Sequence, residues 1–114
     1  VLVGVNRDPQ FGPLVVFGLG GIYVEVLKDV AFRLAPITRE EAREQIREIR
    51  TFPLLKGVRG EAPADLVAAE EIILRVSQLV TDFPEIVEMD INPLVIHNQG
   101  EGAIVLDARI ILQG

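Results

Sequence analysis

The C-terminal part of the sequence decides the fold. Residues 86–97 read IVEMDINPLVIH and residues 103–112 read AIVLDARIIL, with NQGEG at 98–102 between them. Both outer stretches are rich in β-branched and apolar residues, and the middle one concentrates residues that favour turns. The pattern therefore predicts a β-hairpin. Pro93 has no N–H to donate to a strand ladder, so we expect an edge or a bulge at that position.

Alternation along this hairpin places polar side chains on one face. Asp90 and Asn92 point the same way on the first strand, and Asp107 and Arg109 share a face of the return strand. If the turn holds four residues, Asn92 and Asp107 are cross-strand partners with Cβ atoms about 5 Å apart; a five-residue turn breaks this pairing. An amide oxygen beside a carboxylate suits Mg²⁺. The spacing leaves open the alternative that both are polar residues on a solvated face.

The N-terminal third predicts further strands. Residues 1–5 and 14–17 are apolar runs on either side of a Pro- and Gly-containing turn at 8–13, and residues 30–35 alternate like a strand. The glycine-rich segment 18–21 has backbone N–H groups that can bind phosphate, although it lacks the spacing of a dinucleotide or Walker motif. A simple turn is the alternative. Arg7 and Arg33 are candidates for phosphate contacts, but a single arginine does not by itself predict a phosphate site.

Two helices are predicted in the middle of the chain. The first covers 38–50, where Thr38 and Glu41 have the spacing of a capping box. The second runs from residue 63 or 65 to about residue 82, with apolar positions spaced by three and four. Residues 52–63 contain Pro and Gly and are predicted to form a loop. Because strands and helices occur in groups, the predicted class is α+β, a mostly antiparallel sheet with two helices packed on it.

Composition limits the classes of function. The 114 residues are 49% hydrophobic and 25% charged, which predicts one folded domain over 1–114. The chain has no Cys and a single histidine, His97, so thiolate sites and paired-imidazole sites are excluded. A formal net charge of −6 and few aromatic residues argue against nucleic-acid binding. No apolar run predicts a membrane span and no secretory signal is present, so we expect a cytoplasmic location.

Four ordered motifs resemble the ATP-grasp domain of ADP-forming (NDP-forming) acyl-CoA synthetases, in the succinyl-CoA synthetase superfamily. They are VGV with RDPQFGP at 3–13, FGLGGIYVEVLKD at 17–29, FRLAP at 32–36, and EMDINPL with LDAR at 88–109. Succinyl-CoA synthetase β chains carry a similar Glu-Ile-Asn-Pro-Leu stretch and a downstream Asp. The likeness covers nearly the whole chain and implies the C-terminal subdomain of an ATP-grasp domain. The start within an apparent strand, without Met, leads us to expect a part of a longer enzyme.

The resemblance implies three roles in the C-terminal hairpin. Asn92 and Asp107 match the residues that hold the Mg²⁺ of the nucleotide in this family. Asp90 matches the acidic residue that faces the phosphohistidine of a partner domain, with Asp here where succinyl-CoA synthetases have Glu. The resemblance therefore favours the metal interpretation of the Asn92–Asp107 pair over the solvated-face alternative.

The resemblance also implies nucleotide contacts in the N-terminal part. Val1 and Val3 match the end of the hinge strand whose backbone meets adenine. Gly20 and Gly21 match the glycine loop near the phosphates. Glu25 matches an acidic family position to which we assign no role.

The implied activity is phosphoryl transfer between Mg²⁺-bound ATP or ADP and a phosphohistidine during formation of an acyl-CoA. The partners would be the first ATP-grasp subdomain and a CoA-binding domain or α subunit carrying the histidine, so we expect the isolated chain to be inactive. The alternative is a non-catalytic nucleotide-sensing module, such as the regulatory half of a protein acetyltransferase. A fused acetyltransferase domain would favour that alternative, whereas Asp90, Asn92 and Asp107 favour chemistry. The acid substrate is not specified by these residues.

Overall fold

The computed structural model describes residues 1–19, 29–57 and 59–113. The strands are β1 (Leu2–Asp8), β2 (Gly12–Gly18), β3 (Val30–Leu34), β4 (Ile86–Ile91), β5 (Leu94–Ile96), β6 (Ala103–Val105) and β7 (Ala108–Leu112). The helices are α1 (Arg39–Glu48), α2 (Phe52–Leu55) and α3 (Leu66–Asp82). No helix in this described part of the chain is long and apolar enough to cross a membrane.

A five-stranded antiparallel sheet forms the centre of the molecule. Its strand order is β3-β2-β1-β4-β7, and β5 and β6 form a separate two-stranded sheet. The helices α1 and α3 pack on one face of the large sheet and bury the common core with it. The α+β prediction, with an antiparallel sheet and two main helices, is confirmed.

The first hairpin has a tighter turn than the sequence predicts. The strands β1 and β2 extend to Asp8 and from Gly12, so the turn is shorter than the predicted 8–13. The Asp8 carboxylate accepts the N–H groups of Gln10 (2.7 Å) and Phe11 (3.0 Å). Gly12 follows with φ of +97°, a conformation that glycine adopts without steric cost. These local interactions allow the strands to pair close to the turn.

The helix α1 begins with the predicted capping box. Thr38 Oγ1 accepts the Glu41 N–H (3.2 Å), and Glu41 Oε1 accepts the Thr38 N–H (3.1 Å). The helix ends at Glu48 rather than at residue 50, because the Arg50 and Thr51 N–H groups donate to the Asp29 carboxylate. The short helix α2 then occupies the start of the predicted loop.

The predicted apolar stripes of both main helices face the core. Ile46 of α1 and Ile73 of α3 are almost fully buried, as are Val15 and Phe17 of β2. Gln45 is also fully buried on α1, and its Nε2 donates to backbone carbonyls of β2 and β3 at 2.9 Å each. This amide links the helix to the sheet through hydrogen bonds that satisfy its buried donor.

The C-terminal hairpin is confirmed, but each of its predicted strands is divided. Residues 86–97 form β4 and β5, and residues 103–112 form β6 and β7. The break on the first strand includes Pro93, which lacks the N–H that a continuous ladder needs. The hairpin therefore contributes β4 and β7 to the large sheet, while β5 and β6 form the separate two-stranded sheet.

Candidate functional site

The register of the C-terminal hairpin brings Asn92 and Asp107 together. Ile91 pairs with Ala108, and the next residue, Asn92, donates its N–H to the Asp107 carbonyl at 3.0 Å. Pairing continues through β5 and β6 to a turn at residues 98–101. This is the register that a four-residue turn predicts. The two candidate metal ligands are therefore cross-strand neighbours where the hairpin leaves the large sheet.

Asp90 lies one row further into the sheet on the same face. Its partners are Gly4 on β1 and Arg109 on β7. A cleft of about 220 Å³, here called the polar cleft, is lined by Asp90, Asn92, Asp107, Ala108 and Arg109. The structure thus brings together the three hairpin residues that the sequence singled out, with Arg109 beside them.

The polar cleft lies on the face of the sheet opposite the helices. Met89 and Ile91 of β4 are buried in the core beneath the helices. Because side chains alternate along a strand, the residues between and after them, Asp90 and Asn92, point to the other face. Asp107 is exposed and Asp90 is partly exposed, so a ligand can reach both carboxylates from outside.

The donor atoms in the polar cleft suit a hard cation that arrives with phosphate. Asp90 and Asp107 supply carboxylate oxygens and Asn92 supplies an amide oxygen, with no thiolate or imidazole. No group of three or more His, Cys, Asp or Glu residues able to hold a metal occurs within residues 1–19, 29–57 and 59–113. Mg²⁺ commonly takes only one or two protein carboxylates and completes its shell with water and substrate phosphates. The residues present therefore fit a magnesium–nucleotide complex.

The end of the hairpin is attached to α3 through Asp65. One carboxylate oxygen of Asp65 accepts the Gly102 N–H (2.8 Å), and the other accepts the Ala68 N–H at the start of α3 (3.1 Å). The Asp65 N–H in turn donates to the His97 carbonyl at 2.8 Å. The hydrogen bond from Gly102, followed by that from Ala68, lowers the pKa of Asp65 below its usual value. The predicted helix start is confirmed, but no local signal in the sequence indicates the link to the hairpin.

Val3 lies inside the five-stranded sheet. Val3 is fully buried in β1, with Phe17 of β2 on one side and Ile91 of β4 on the other. Both edges of its strand are occupied by neighbouring strands, and a contact between the Val3 backbone and adenine stays a prediction. Val1 is partly exposed and its carbonyl accepts the Leu94 N–H at 2.7 Å. A contact between Val1 and the nucleotide stays a prediction.

The remaining candidates lie elsewhere. Gly20, Gly21 and Glu25 fall outside the described residues, and their roles stay predictions. Arg33 pairs with Glu48 of α1 and so faces the helices rather than the polar cleft. Arg7 donates to backbone carbonyls at the end of α3 and the start of β4. Neither of these two arginines is placed to contact a phosphate in the polar cleft.

Comparison with known proteins identifies relatives over the whole chain. A family model described as an ATP-grasp domain matches residues 1–112. The chain is 55% identical over 115 residues to acetate–CoA ligase (ADP-forming) II subunit beta of Pyrococcus furiosus, covering 100% of this chain and 49% of the relative. It is 53% identical over 110 residues to 4-hydroxybutyrate–CoA ligase (ADP-forming) of Nitrosopumilus maritimus, covering 96% of this chain and 16% of the relative.

A solved structure has the same fold. The dinucleotide-forming acetyl-coenzyme A synthetase 1 of Ca. Korarchaeum cryptofilum, in complex with coenzyme A and Mg-AMPPCP, matches with a TM-score of 0.92 and 44% sequence identity. The match covers 97% of this chain and 51% of that chain. This chain therefore spans about half the length, or less, of these relatives. Because the family model covers all but the last two residues, this chain belongs to the ATP-grasp domain family.

Proposed function

We propose that this chain is the C-terminal half of the ATP-grasp domain of an ADP-forming acid–CoA ligase. Its role is phosphoryl transfer between a magnesium-bound nucleotide and a phosphohistidine on a partner domain. The observation that carries this proposal is the polar cleft, in which Asp90, Asn92 and Asp107 from separate strands share one open face. The resemblance assigns these three positions to the metal and the histidine, and the cleft places them side by side.

In this proposal Asn92 and Asp107 hold the magnesium ion of the nucleotide. When bound, the ion neutralises negative charge on the phosphates of ATP or ADP. The support is the hard-oxygen donor set of the cleft, together with the related synthetase whose structure contains Mg-AMPPCP. The orientation of the Asn92 amide oxygen and the Asp107 carboxylate oxygens would fix the position of the nucleotide.

Asp90 is the proposed partner of the histidine ring. In the direction of ATP formation, the bond between phosphorus and the ring nitrogen breaks, and its electron pair stays on the imidazole. A lone pair on the terminal oxygen of ADP forms the new bond to phosphorus. The Asp90 carboxylate accepts the N–H of the other ring nitrogen and so orients the ring and stabilises its charge. In the related synthetase structure, the phosphohistidine segment is described as pointing towards the nucleotide binding site.

The partners follow from the greater length of the relatives. The first ATP-grasp subdomain would complete the nucleotide site, and a CoA-binding domain or α subunit would bring the phosphorylated histidine. The relatives are named for acetate and for 4-hydroxybutyrate. We propose that regions outside the polar cleft bind the acid.

Replacing Asp107 in the complete enzyme tests the proposal. Asp107→Ala removes a carboxylate from the metal site, and we expect single-turnover phosphoryl transfer to fall about 10²–10³-fold, or about 3–4 kcal/mol in the transition state. The matched control is Glu101→Ala, because Glu101 is exposed in the turn of the same hairpin and does not line the cleft. Near-normal transfer by Asp107→Ala at saturating Mg²⁺ would contradict the proposal.

A further inference from the structure

Arg109 lies beside both Asp90 and the Asn92–Asp107 pair. It is the cross-strand partner of Asp90 and lies two residues after Asp107 on the same face of the hairpin. Directly opposite residues have Cβ atoms about 5 Å apart, and diagonal neighbours on the same face are about 7–8 Å apart, within reach of a long side chain. The Arg109 side chain can therefore reach over the space between Asp90 and the Asn92–Asp107 pair.

The guanidinium of Arg109 makes no contact that holds together the described part of the fold. Within the described part of the chain it forms no hydrogen bond and no ion pair, even with its neighbour Asp90. Arg7 and Arg33, by contrast, donate to backbone carbonyls or pair with a helix carboxylate. An arginine that lines a cleft and has no partner among the described residues keeps its donors available for a ligand.

The negative charges in the polar cleft would be balanced in part by a cationic side chain of the protein. Asp90 and Asp107 are acidic, and the phosphates of a nucleotide are negative as well. Arg109 is the basic side chain among the residues that line the cleft. The planar guanidinium presents several donors and matches the geometry of phosphate oxygens. It suits an anion held between the acidic residue and the metal pair.

We propose that Arg109 contacts the phosphoryl group in transit between the nucleotide and the histidine. This inference rests on the proposed function. In ATP the group is the terminal phosphate, and after transfer it is the phosphate on the histidine. Arg109 donates to its oxygens on the side of Asp90, while the Asn92–Asp107 pair lies on the other side. ADP lacks this group, so Arg109 distinguishes ATP from ADP.

The test uses Arg109→Gln and Arg109→Lys in the complete enzyme. We expect Arg109→Gln to slow single-turnover transfer by about 10²-fold, and Arg109→Lys, which keeps the charge, to retain an intermediate rate. By calorimetry with Mg²⁺ present, Arg109→Gln should weaken AMPPCP binding by about 10-fold while ADP binding changes by less than about 3-fold. The matched control is Arg47→Gln on α1, because Arg47 is exposed and lies outside the polar cleft.

The outcomes separate this inference from the proposed function. If Arg109→Gln transfers at the normal rate while Asp107→Ala is slow, the Arg109 inference is overturned and the proposed function stands. If both variants are normal, the proposed function fails. Equal losses of AMPPCP and ADP affinity would also overturn the inference, because Arg109 would then contact a part that the two nucleotides share.

Discussion

The two faces of the five-stranded sheet use their side chains differently. On the face covered by the helices, Phe17 and Val15 are fully buried, and the buried amide of Gln45 donates to backbone carbonyls. On the open face, Asp90 and Arg109 are direct neighbours but form no ion pair with each other. The side chains of the covered face make packing contacts and hydrogen bonds within the protein, whereas the open face has charged groups that a ligand can contact.

Alternation along a single strand separates these two roles. Met89 packs in the core and the next residue, Asp90, lines the polar cleft. A substitution on the covered face should therefore change stability, and one on the open face should change nucleotide chemistry with little change in stability. Four predictions test this separation.

The largest effect is expected in the core. Phe17→Ala removes a fully buried aromatic ring and leaves a cavity, so we expect a loss of about 3–5 kcal/mol in the free energy of unfolding. Denaturant titration of the complete protein, with hydrogen exchange of the β2 amides as the local measurement, gives the value. The matched control is Phe11→Ala, because Phe11 is exposed in the turn between β1 and β2. A loss below about 1 kcal/mol for Phe17→Ala would contradict the assignment of the covered face as the stabilising one.

The second-largest effect, on the rate of histidine phosphorylation, distinguishes Asp90 from Asn92 on the open face. Asp90→Asn keeps the size of the side chain and removes its charge, so we expect histidine phosphorylation to slow by about 10²-fold with almost unchanged Mg²⁺–nucleotide affinity. Asn92→Ala should weaken that affinity as well as the rate. Nucleotide titration and single-turnover phosphorylation of both variants measure the difference. If Asp90→Asn weakens nucleotide binding as much as Asn92→Ala does, Asp90 belongs to the metal site.

A smaller effect is expected at the start of α1. Thr38→Ala removes the hydroxyl that accepts the Glu41 N–H, and loss of such a cap typically lowers stability by about 1 kcal/mol. Thr38→Ser keeps the hydroxyl and should retain most of that stability. Both variants should bind nucleotide normally, because α1 packs on the covered face. Thermal unfolding compares them, and equal stability of the two variants would show that the cap does not contribute.

The smallest effect depends on pH and involves Asp65. Hydrogen bonds from Gly102 and Ala68 lower its pKa in the folded protein, so the carboxylate stabilises the fold above its unfolded pKa. That contribution is lost as the pH falls below about 4, through the folded pKa. Wild type should therefore exceed Asp65→Asn in stability at neutral pH, with the difference shrinking in acid. Denaturation midpoints measured from pH 7 to pH 3 test this, and a difference that grows in acid would contradict it.

The sequence by itself determined the features that depend on local spacing. The capping box follows from Thr38 and Glu41 three residues apart, because this pattern operates within one helix turn. Alternation also indicated that Asn92 pairs with Asp107 if the turn has four residues, and the structure decided that turn length. The polar face that includes Asp90 was predictable from alternation alone.

Only the tertiary structure decided how distant elements combine. The strand order places β1 between β2 and β4, which buries the Val3 side chain completely. Folding also brings Gly102 to Asp65, where they form a hydrogen bond, and Glu48 to Arg33, where they form an ion pair. The sequence alone does not indicate either partner. These contacts join separate elements, and their partners are selected by the packing of the helices on the sheet. Local propensity carries no information about such partners, because the packing depends on the whole core at once.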